Sequence, residues 1–193
     1  LALTQDRKYR TEHHGADLLP PASGIMEAVV HPLESTMEFG ELTITSFAAD
    51  HSPVEPAASY RFDYKGRSVV ITGDTVVTDR LKEMTDGADL LLTDALSMPV
   101  VSALHEAVSS AGSDRLAKIL VDIQDYHAHV ANVVALSTST DIGMTALYHL
   151  VPGPRNKLME NIFKRDFTGN MVLTHDRMWF QLPAGSDTIN VEE

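Results

Sequence analysis

The stretch AASYRFDYKGRSVVITGDT, residues 57–75, predicts two β-strands joined by a tight turn. Polar and apolar side chains alternate over residues 59–64, and residues 67–71 are mostly apolar and β-branched, which is typical of a buried strand. Lys65-Gly66 is the predicted turn. The second strand ends at Gly73-Asp74, where a glycine can take backbone angles that other residues avoid and so direct Asp74 into a cleft. On these residues alone, a plain surface turn is the simpler interpretation.

Histidines before and after this stretch extend the pattern. His51 precedes the first strand, and His149 lies near the end of an apolar run, ALYHLVP at residues 146–152. Together with Asp74 of the GDT motif, these motifs resemble the metallo-β-lactamase superfamily, and within it the arylsulfatase-like and ribonuclease Z-like branch. The resemblance implies that His51, Asp74 and His149 are metal ligands, with Asp74 bridging two metal ions. A fourth match is His127, which corresponds to the histidine that opens the HST helix of that branch.

The resemblance also implies a catalytic pair. In the branch, the strand after the GDT motif ends in HEA, whereas residues 89–95 here read DLLLTDA, so Asp94 stands in place of the glutamate. Asp94 is then expected to polarise His127, and His127 to donate a proton to the leaving group. A helix or turn cap is the alternative role of Asp94. The implied metal is zinc, as one or two ions, with manganese or iron as alternatives.

One motif of the superfamily is missing. The HxHxDH string, which supplies most of the metal ligands in the family, does not occur in the 193 residues, and His13, His14 and Asp17 have a different spacing. We therefore expect residues 1–183 to form the C-terminal part of a single metallo-β-lactamase-type domain, followed by a disordered tail at residues 184–193. With so few of the expected ligands, the chain by itself is predicted to bind metal weakly or not at all.

The remaining sequence predicts the other secondary-structure elements. Thr78 caps a short helix that ends before Gly87, and residues 113–124 carry the apolar stripe of an amphipathic helix. Further strands and helices are predicted at residues 26–33, 41–47, 89–93, 130–137, 144–150, 154–164 and 170–182, with a loop or irregular helix at residues 99–112. This order predicts an α/β (α+β) fold class, a mixed β-sheet with helices on one face, which the resemblance identifies as the second half of an αββα sandwich.

A half-sandwich would expose one apolar face of its sheet. The expected partner for that face is a missing N-terminal half or a second copy of the chain.

Two further residues receive structural roles in this interpretation. His129 is two residues from His127, and on a helix such side chains point roughly 200° apart, so they cannot share one metal ion. Trp179 is predicted to lie in the core.

Composition narrows the classes of partner. The net charge is −12, from 27 acidic and 15 basic residues, and a protein that binds a phosphate backbone normally carries a basic face. The charge therefore argues against nucleic acid as a partner. Cysteine is absent, so neither disulfides nor thiolate ligands can form. No run approaches the roughly 18 apolar residues of a membrane span, and no membrane partner is predicted. The sequence indicates no particular cellular compartment.

The combined prediction is a metal-dependent hydrolase that cleaves a small sulfate or phosphate ester with a metal-activated water. The first alternative is a ribonuclease Z-like endonuclease that processes the 3′ end of transfer RNA. The second is a non-catalytic remnant that serves in assembly or interaction, an interpretation favoured by the missing HxHxDH motif.

Overall fold

The computed structural model describes residues 2–20 and 29–192. The chain divides into two units, Leu1–Pro32 and Leu33–Glu193. In the described part of the first unit, helix α1 spans Ala2–His14. No described helix has the length and apolar character needed to cross a bilayer.

A seven-stranded mixed sheet forms the centre of the second unit. Its strands are β1 (Ser35–Phe39), β2 (Leu42–Ala49), β3 (Ala57–Tyr64), β4 (Arg67–Ile71), β5 (Leu90–Leu96), β6 (Met144–Val151) and β7 (Met171–Leu173). They follow chain order across the sheet, with β1 to β4 antiparallel and β4 to β7 parallel. Because crossovers between parallel strands are right-handed, this order puts successive crossover helices on the same face.

The helices of this unit cover that face. They are α2 (Asp79–Thr85), α3 (Met98–Ser110), α4 (Asp114–Asp122), α5 (Val130–Ser139) and α6 (Lys157–Lys164). Leu81 of α2 packs with Phe47 and Val70 of the sheet, and Phe163 of α6 packs with Leu147. Helix α4 has no buried residue. The predicted mixed sheet with helices on one face is therefore confirmed.

The hairpin formed by β3 and β4 orients the strand that leads to Asp74. Lys65 and Gly66 both have positive φ, 49° and 76°, which is the requirement of the type I′ turn that matches the twist of a hairpin. Gly73 is needed for a different reason from the one predicted. It has no positive φ, but a Cβ at this position would lie 2.9 Å from the Ala58 carbonyl oxygen. The end of β4 can therefore approach β3 only with glycine there.

The sheet face opposite the helices is apolar and only partly covered. By strand register, Ile44, Phe62 and Val69 lie side by side on this face, and all three are half-buried. Tyr60 and Tyr64 lie on the same face and are exposed. Among the described residues, this part of the sheet face is therefore apolar and partly accessible.

The C-terminal segment differs from the predicted disordered tail. Strand β8 (Trp179–Gln181) pairs antiparallel with β9 (Asn190–Glu192), which lies within the tail. The buried Arg67 guanidinium donates hydrogen bonds to the carbonyls of Pro183 and Thr188, at 3.3 Å and 3.2 Å. A buried guanidinium requires acceptors. Thr188 in the tail supplies one of them, and Asp89 Oδ1 lies 2.9 Å from the Arg67 guanidinium. Trp179 is not a core residue, since β8 lies outside the main sheet and leaves it 68 % exposed.

Three other elements differ from the prediction. Strand β1 lies at residues that were expected to link two strands. Its formation depends on pairing with β2 rather than on an alternating pattern in its own sequence. The strand predicted at residues 26–33 lies partly outside the described residues, and residues 29–33 form no strand. The segment expected to be a loop or irregular helix is α3, which has Pro99 in its first turn, where proline is favourable.

Candidate functional site

The five predicted site residues lie at one edge of the sheet. Strand β2 runs in the same direction as β4, β5 and β6, because two antiparallel steps separate it from β4. Their carboxyl ends therefore meet at the same edge, where ligands commonly bind in sheets of this kind. His51 follows β2, Asp74 follows β4, Asp94 lies near the end of β5, and His149 near the end of β6. His127 comes from the loop before α5.

Asp74 lies between two histidines. Its Oδ2 is 3.7 Å from His51 Nε2, and its Oδ1 is 3.7 Å from His149 Nδ1. Both distances exceed that of a hydrogen bond, so the three side chains are close without being bonded. Each carboxylate oxygen faces a different imidazole, an arrangement compatible with the bridging role implied for Asp74.

The loops that carry His51 and Asp74 are bonded to each other. The Asp50 backbone N–H donates to the Thr75 hydroxyl at 2.9 Å, and the Val76 N–H donates to the Asp50 carbonyl at 3.0 Å. Thr75 is buried. These bonds hold the end of β2 against the GDT turn, so His51 reaches Asp74 through backbone contacts that no local pattern specifies.

His149 reaches the site through an irregularity in β6. The register between β5 and β6 shifts from Thr93↔Leu147 to Ala95↔Leu150, so Tyr148 and His149 together oppose Asp94. Such a bulge bends the strand and redirects a side chain. His149 also has a φ of 42°, a left-handed conformation that costs a residue other than glycine about 1–3 kcal/mol. Strained backbone of this kind is frequent at functional sites.

His127 and Asp94 form a buried hydrogen-bonded pair. His127 Nδ1 lies 2.9 Å from Asp94 Oδ2, and the Ala128 backbone N–H donates to the same oxygen at 3.3 Å. The Leu96 N–H in turn donates to the Ala128 carbonyl at 2.7 Å, which attaches the loop to β5. Asp94 is fully buried and His127 is 5 % exposed. The predicted pairing of these residues is therefore present, and Asp94 does not cap a helix.

Burial shifts the pKa values of Asp94 and His127 in the directions that favour the neutral form of each side chain. Loss of solvation raises the pKa of Asp94 to about 7, with a further contribution from the charge of Asp74. Desolvation also lowers the pKa of His127. Asp94 Oδ1 makes no hydrogen bond of good geometry within the described chain, although the Thr75 backbone N–H limits the rise of the Asp94 pKa. When Asp94 is ionised, its Oδ2 accepts a hydrogen bond from His127 Nδ1–H, and His127 Nε2 then keeps its lone pair.

His129 has the structural role expected of it, but for a different reason. The segment from His127 to His129 is not helical, so the argument from helical geometry does not apply. His129 instead forms a β-bridge with Leu96, and its Nε2 lies 2.9 Å from the Gln124 carbonyl. The His129 ring is thus held by the backbone of the loop before α5.

Tyr126 is a site residue that the sequence analysis did not identify. Its ring centroid lies 4.8 Å from that of His51 and 4.9 Å from that of His127. The His127 ring in turn stacks on His149, with centroids 5.4 Å apart. Tyr126 thus closes one side of the histidine cluster. The sequence signal that could have identified Tyr126 is its position directly before His127 in the chain.

The donors converge closely enough for a metal ion. One ligand atom each from His51, Asp74 and His127 lies within 4.8 Å of the others. Imidazole and carboxylate are donors that suit zinc. His149 is outside this group of three, whereas His127, predicted as the proton donor, is inside it. The assignment of His51, Asp74 and His149 as ligands, and of His127 and Asp94 as the catalytic pair, remains a prediction.

Comparison with known proteins agrees with the fold. The family model described as "Beta-lactamase superfamily domain" matches residues 7–150. A curated protein from Mycobacterium avium named ribonuclease Z is 29% identical over 188 residues, which are 96% of this chain and 62% of that protein. A second mycobacterial ribonuclease Z, from Mycolicibacterium paratuberculosis, shows the same identity and coverage. The chain thus spans less than two thirds of the length of these relatives.

Solved structures resemble it as well. The metallo-β-lactamase fold protein YhfI from Bacillus subtilis superposes with a TM-score of 0.54 at 18% identity, over 77% of this chain and 53% of that one. Zinc-bound PqqB from Methylobacterium extorquens gives a TM-score of 0.52 at 17% identity, over 87% of this chain and 57% of that one. At such identities the likeness concerns the fold alone.

Proposed function

The chain belongs to the beta-lactamase superfamily, and from this premise we propose that it carries part of the active site of a metal-dependent hydrolase that cleaves phosphate or sulfate esters. The observation that carries the proposal is the position of Asp74, whose two oxygens each face a histidine at the carboxyl edge of the sheet. Curated relatives named ribonuclease Z support a hydrolytic activity.

In this proposal His51, Asp74 and His149 hold the metal. The donor set fits zinc, since it combines two imidazoles with a carboxylate. When bound, a divalent ion at such a site acidifies water and stabilises negative charge on the substrate. Tyr126 lies against His51 and restricts access of bulk solvent to one side of the cluster.

His127 performs the proton transfer. Asp94 Oδ2 accepts the hydrogen bond from His127 Nδ1 and so fixes the orientation of the ring and its tautomer. Nε2 accepts a proton from the reacting water and then donates it to the leaving-group oxygen as the ester bond breaks. A group of this kind contributes about 10²- to 10⁴-fold to the rate. The lowered pKa of His127 keeps Nε2 unprotonated before the reaction starts.

The preferred substrate is a small monoanionic ester. Each phosphate contact to a nucleic acid requires a cation on one face of the protein, whereas the chain has a net charge of −12. Arg61, an apparent candidate for guiding a substrate, is already bonded to Asp63 and to the Met84 carbonyl. The second candidate function is ribonuclease Z-like cleavage of precursor transfer RNA, which the names of the curated relatives favour.

We also propose that the apolar sheet face is covered in the active protein. Ile44, Phe62 and Val69 are half-buried on it, and Tyr60 and Tyr64 are exposed. A contiguous apolar surface of this kind marks an interaction site. The covering layer is an additional N-terminal layer of the same domain or, failing that, a second copy of this chain.

The test compares substrates on the protein made from the complete reading frame. Turnover of p-nitrophenyl phosphate, p-nitrophenyl sulfate and a precursor transfer RNA is measured at low salt, with Asp74→Ala as the inactive control. Turnover of either small ester, lost in Asp74→Ala, supports the preferred proposal. Cleavage of the RNA without ester turnover supports the second candidate. Metal binding with no turnover of any substrate would contradict the hydrolase proposal and favour the non-catalytic remnant that serves in assembly or interaction.

A further inference from the structure

We propose that Tyr148 is a positioning residue of this site: its hydroxyl group ties the bulge of β6 to the end of β4 and thereby sets the place of His149 relative to Asp74. Tyr148 neither holds a metal ion nor transfers a proton in the proposed function. Its effect on turnover rests on that function, whereas its effect on the backbone of β6 can be measured without it.

The Tyr148 side chain joins two strands that are not neighbours in the sheet. Strand β5 lies between β6, which carries Tyr148, and β4, which leads to Asp74. The Tyr148 hydroxyl nevertheless donates a hydrogen bond to the carbonyl of Thr72, two residues before Asp74. Backbone ladder bonds connect only adjacent strands, about 4.8 Å apart. A long side chain with a polar tip is therefore required to connect β6 directly to β4.

This bond acts where the ladder between β5 and β6 is interrupted. Tyr148 and His149 together oppose Asp94, and such an extra residue disrupts the ladder locally. The next residue, His149, has a φ of 42°. A left-handed residue other than glycine persists only where the surrounding structure holds it. The hydroxyl bond of Tyr148 supplies a contact of this kind one residue before His149.

Thr72 is a fixed point for this bond. It is buried, its backbone N–H donates to the Leu92 carbonyl at 3.0 Å, and its hydroxyl accepts the Asp94 N–H at 3.4 Å. Both bonds attach the end of β4 to β5. Because the acceptor is held in this way, the hydrogen bond from Tyr148 fixes the end of β6 against the other two strands.

The environment keeps Tyr148 in the form that can donate. Tyr148 is half-buried, and desolvation raises the pKa of its phenol. The nearby charges of Asp94 and Asp74 raise this pKa further. The phenol therefore retains the proton that the bond to the Thr72 carbonyl requires. Groups that support the residues of a metal site from behind in this way commonly affect activity without contacting the substrate.

The first experiment measures amide hydrogen exchange by NMR on the full 193-residue chain without metal. Tyr148→Phe removes one hydroxyl group and keeps the ring, and Tyr9→Phe, in the exposed helix α1, is the matched control. We expect Tyr148→Phe to accelerate exchange at residues 149–151 by about 3- to 10-fold, the scale of one hydrogen bond. Exchange in β2 and β3 should remain as in the unmodified chain, and Tyr9→Phe should change neither region.

Unchanged exchange at residues 149–151 overturns the proposal. A uniform acceleration across the whole sheet overturns it as well, because the phenol would then stabilise the fold in general rather than position the end of one strand. Neither outcome affects the hydrolase proposal, since this experiment uses no metal and no substrate.

The second experiment measures ester turnover by the protein from the complete reading frame. Tyr148→Phe should lower kcat by about 10- to 100-fold with KM nearly unchanged, and Tyr9→Phe should change neither constant. A raised KM with unchanged kcat contradicts a positioning role, because Tyr148 would then contribute to substrate binding alone. The two possible failures are distinguishable. Absence of turnover in the unmodified protein contradicts the hydrolase proposal, whereas equal kcat in the unmodified protein and Tyr148→Phe overturns the role of Tyr148.

Discussion

Two histidine–aspartate pairs share one site and differ in nearly every physical respect. His127 and Asp94 are buried and lie 2.9 Å apart, in hydrogen-bond contact. His149 and Asp74 are separated by 3.7 Å, and their side chains are 47 % and 37 % exposed. The first pair is oriented by hydrogen bonds from the backbone of its own loop, whereas the second is positioned by a bulge and a left-handed residue.

The difference separates two requirements of an active site. The buried pair is pre-oriented, at the cost of removing a carboxyl group and an imidazole from water. The exposed pair remains open to a metal ion or substrate, and its position depends on backbone strain rather than on direct bonds. Substitutions in the buried pair should therefore reduce stability as well as activity, whereas substitutions in the exposed pair should reduce activity without loss of stability.

The largest expected effect is that of Asp74→Ala in the protein from the complete reading frame. Hydrolytic activity should fall below detection, because Asp74 is the residue placed between both candidate metal positions. The free energy of unfolding should change by less than about 0.5 kcal/mol, since Asp74 is partly exposed and not hydrogen-bonded to either histidine. Asp125→Ala, an exposed acid in a neighbouring loop, is the control. A large loss of stability in Asp74→Ala would contradict the expected difference in stability between the buried and the exposed pair.

His127→Ala should have the next largest effect. Turnover by the complete protein should fall by about 10²- to 10⁴-fold, the scale of a proton-transfer residue. Steady-state kinetics on a small ester measure this, with His13→Ala as the control because His13 is exposed and belongs to helix α1 of the first unit. Equal turnover of the two variants would remove His127 from the reaction.

Asp94→Ala tests the stability of the buried pair. It leaves His127 Nδ1 and the Ala128 N–H without their acceptor. Leaving a buried donor without its acceptor costs about 1–3 kcal/mol, which chemical denaturation at neutral pH can resolve. Asp74→Ala serves as the matched control from the exposed pair. If both variants lose the same free energy, burial does not distinguish the pairs.

His149→Gly should stabilise the chain slightly. A residue other than glycine in the left-handed region costs about 1–2 kcal/mol, and glycine adds about 0.5–1 kcal/mol of chain entropy to the unfolded state. The free energy of unfolding should therefore rise by up to about 1 kcal/mol, although the ring is lost. His149→Ala separates the two contributions, because it removes the ring and keeps the strain. A destabilised glycine variant would mean that the ring itself holds β6 in place.

The smallest effect concerns Glu34, whose side chain is as exposed as that of His149 but fully bonded. It accepts hydrogen bonds from the Ala48 N–H and from Arg80, and these contacts lower its pKa. A carboxyl group with a lowered folded-state pKa stabilises above its unfolded pKa and loses that contribution as pH falls through the folded value. Glu34→Gln should cost under about 1 kcal/mol at pH 7.

The same loss should shrink towards zero in denaturation curves measured at increasingly acidic pH. A cost of Glu34→Gln that persists below the folded pKa would show that shape, rather than charge, makes the contact. Glu34 is as exposed as His149 but has hydrogen-bond partners. Either result therefore indicates whether exposure or the lack of hydrogen bonds accounts for the weakness of the His149–Asp74 contact.

Several elements were predictable because their signals are local. The turn at Lys65-Gly66 requires positive φ at both positions, and the cap at Thr78 accepts a hydrogen bond from the backbone N–H three residues later. The elements that were missed depend on distant partners. Strand β1 exists because β2 pairs with it, and β9 because β8 does. Short strands carry too few residues for a pattern of their own to decide between strand and loop.

The sequence by itself predicted the residues that the structure brings together at the edge of the sheet, since His51, Asp74, His127 and His149 each lie in a short motif. It also determined the membership of the superfamily. The tertiary structure alone decided which imidazole faces which oxygen of Asp74, that Asp94 is fully buried, and that Tyr126 lies between two histidines. Distances and desolvation depend on strand register and on a bulge between strands far apart in the chain, and no local pattern encodes either.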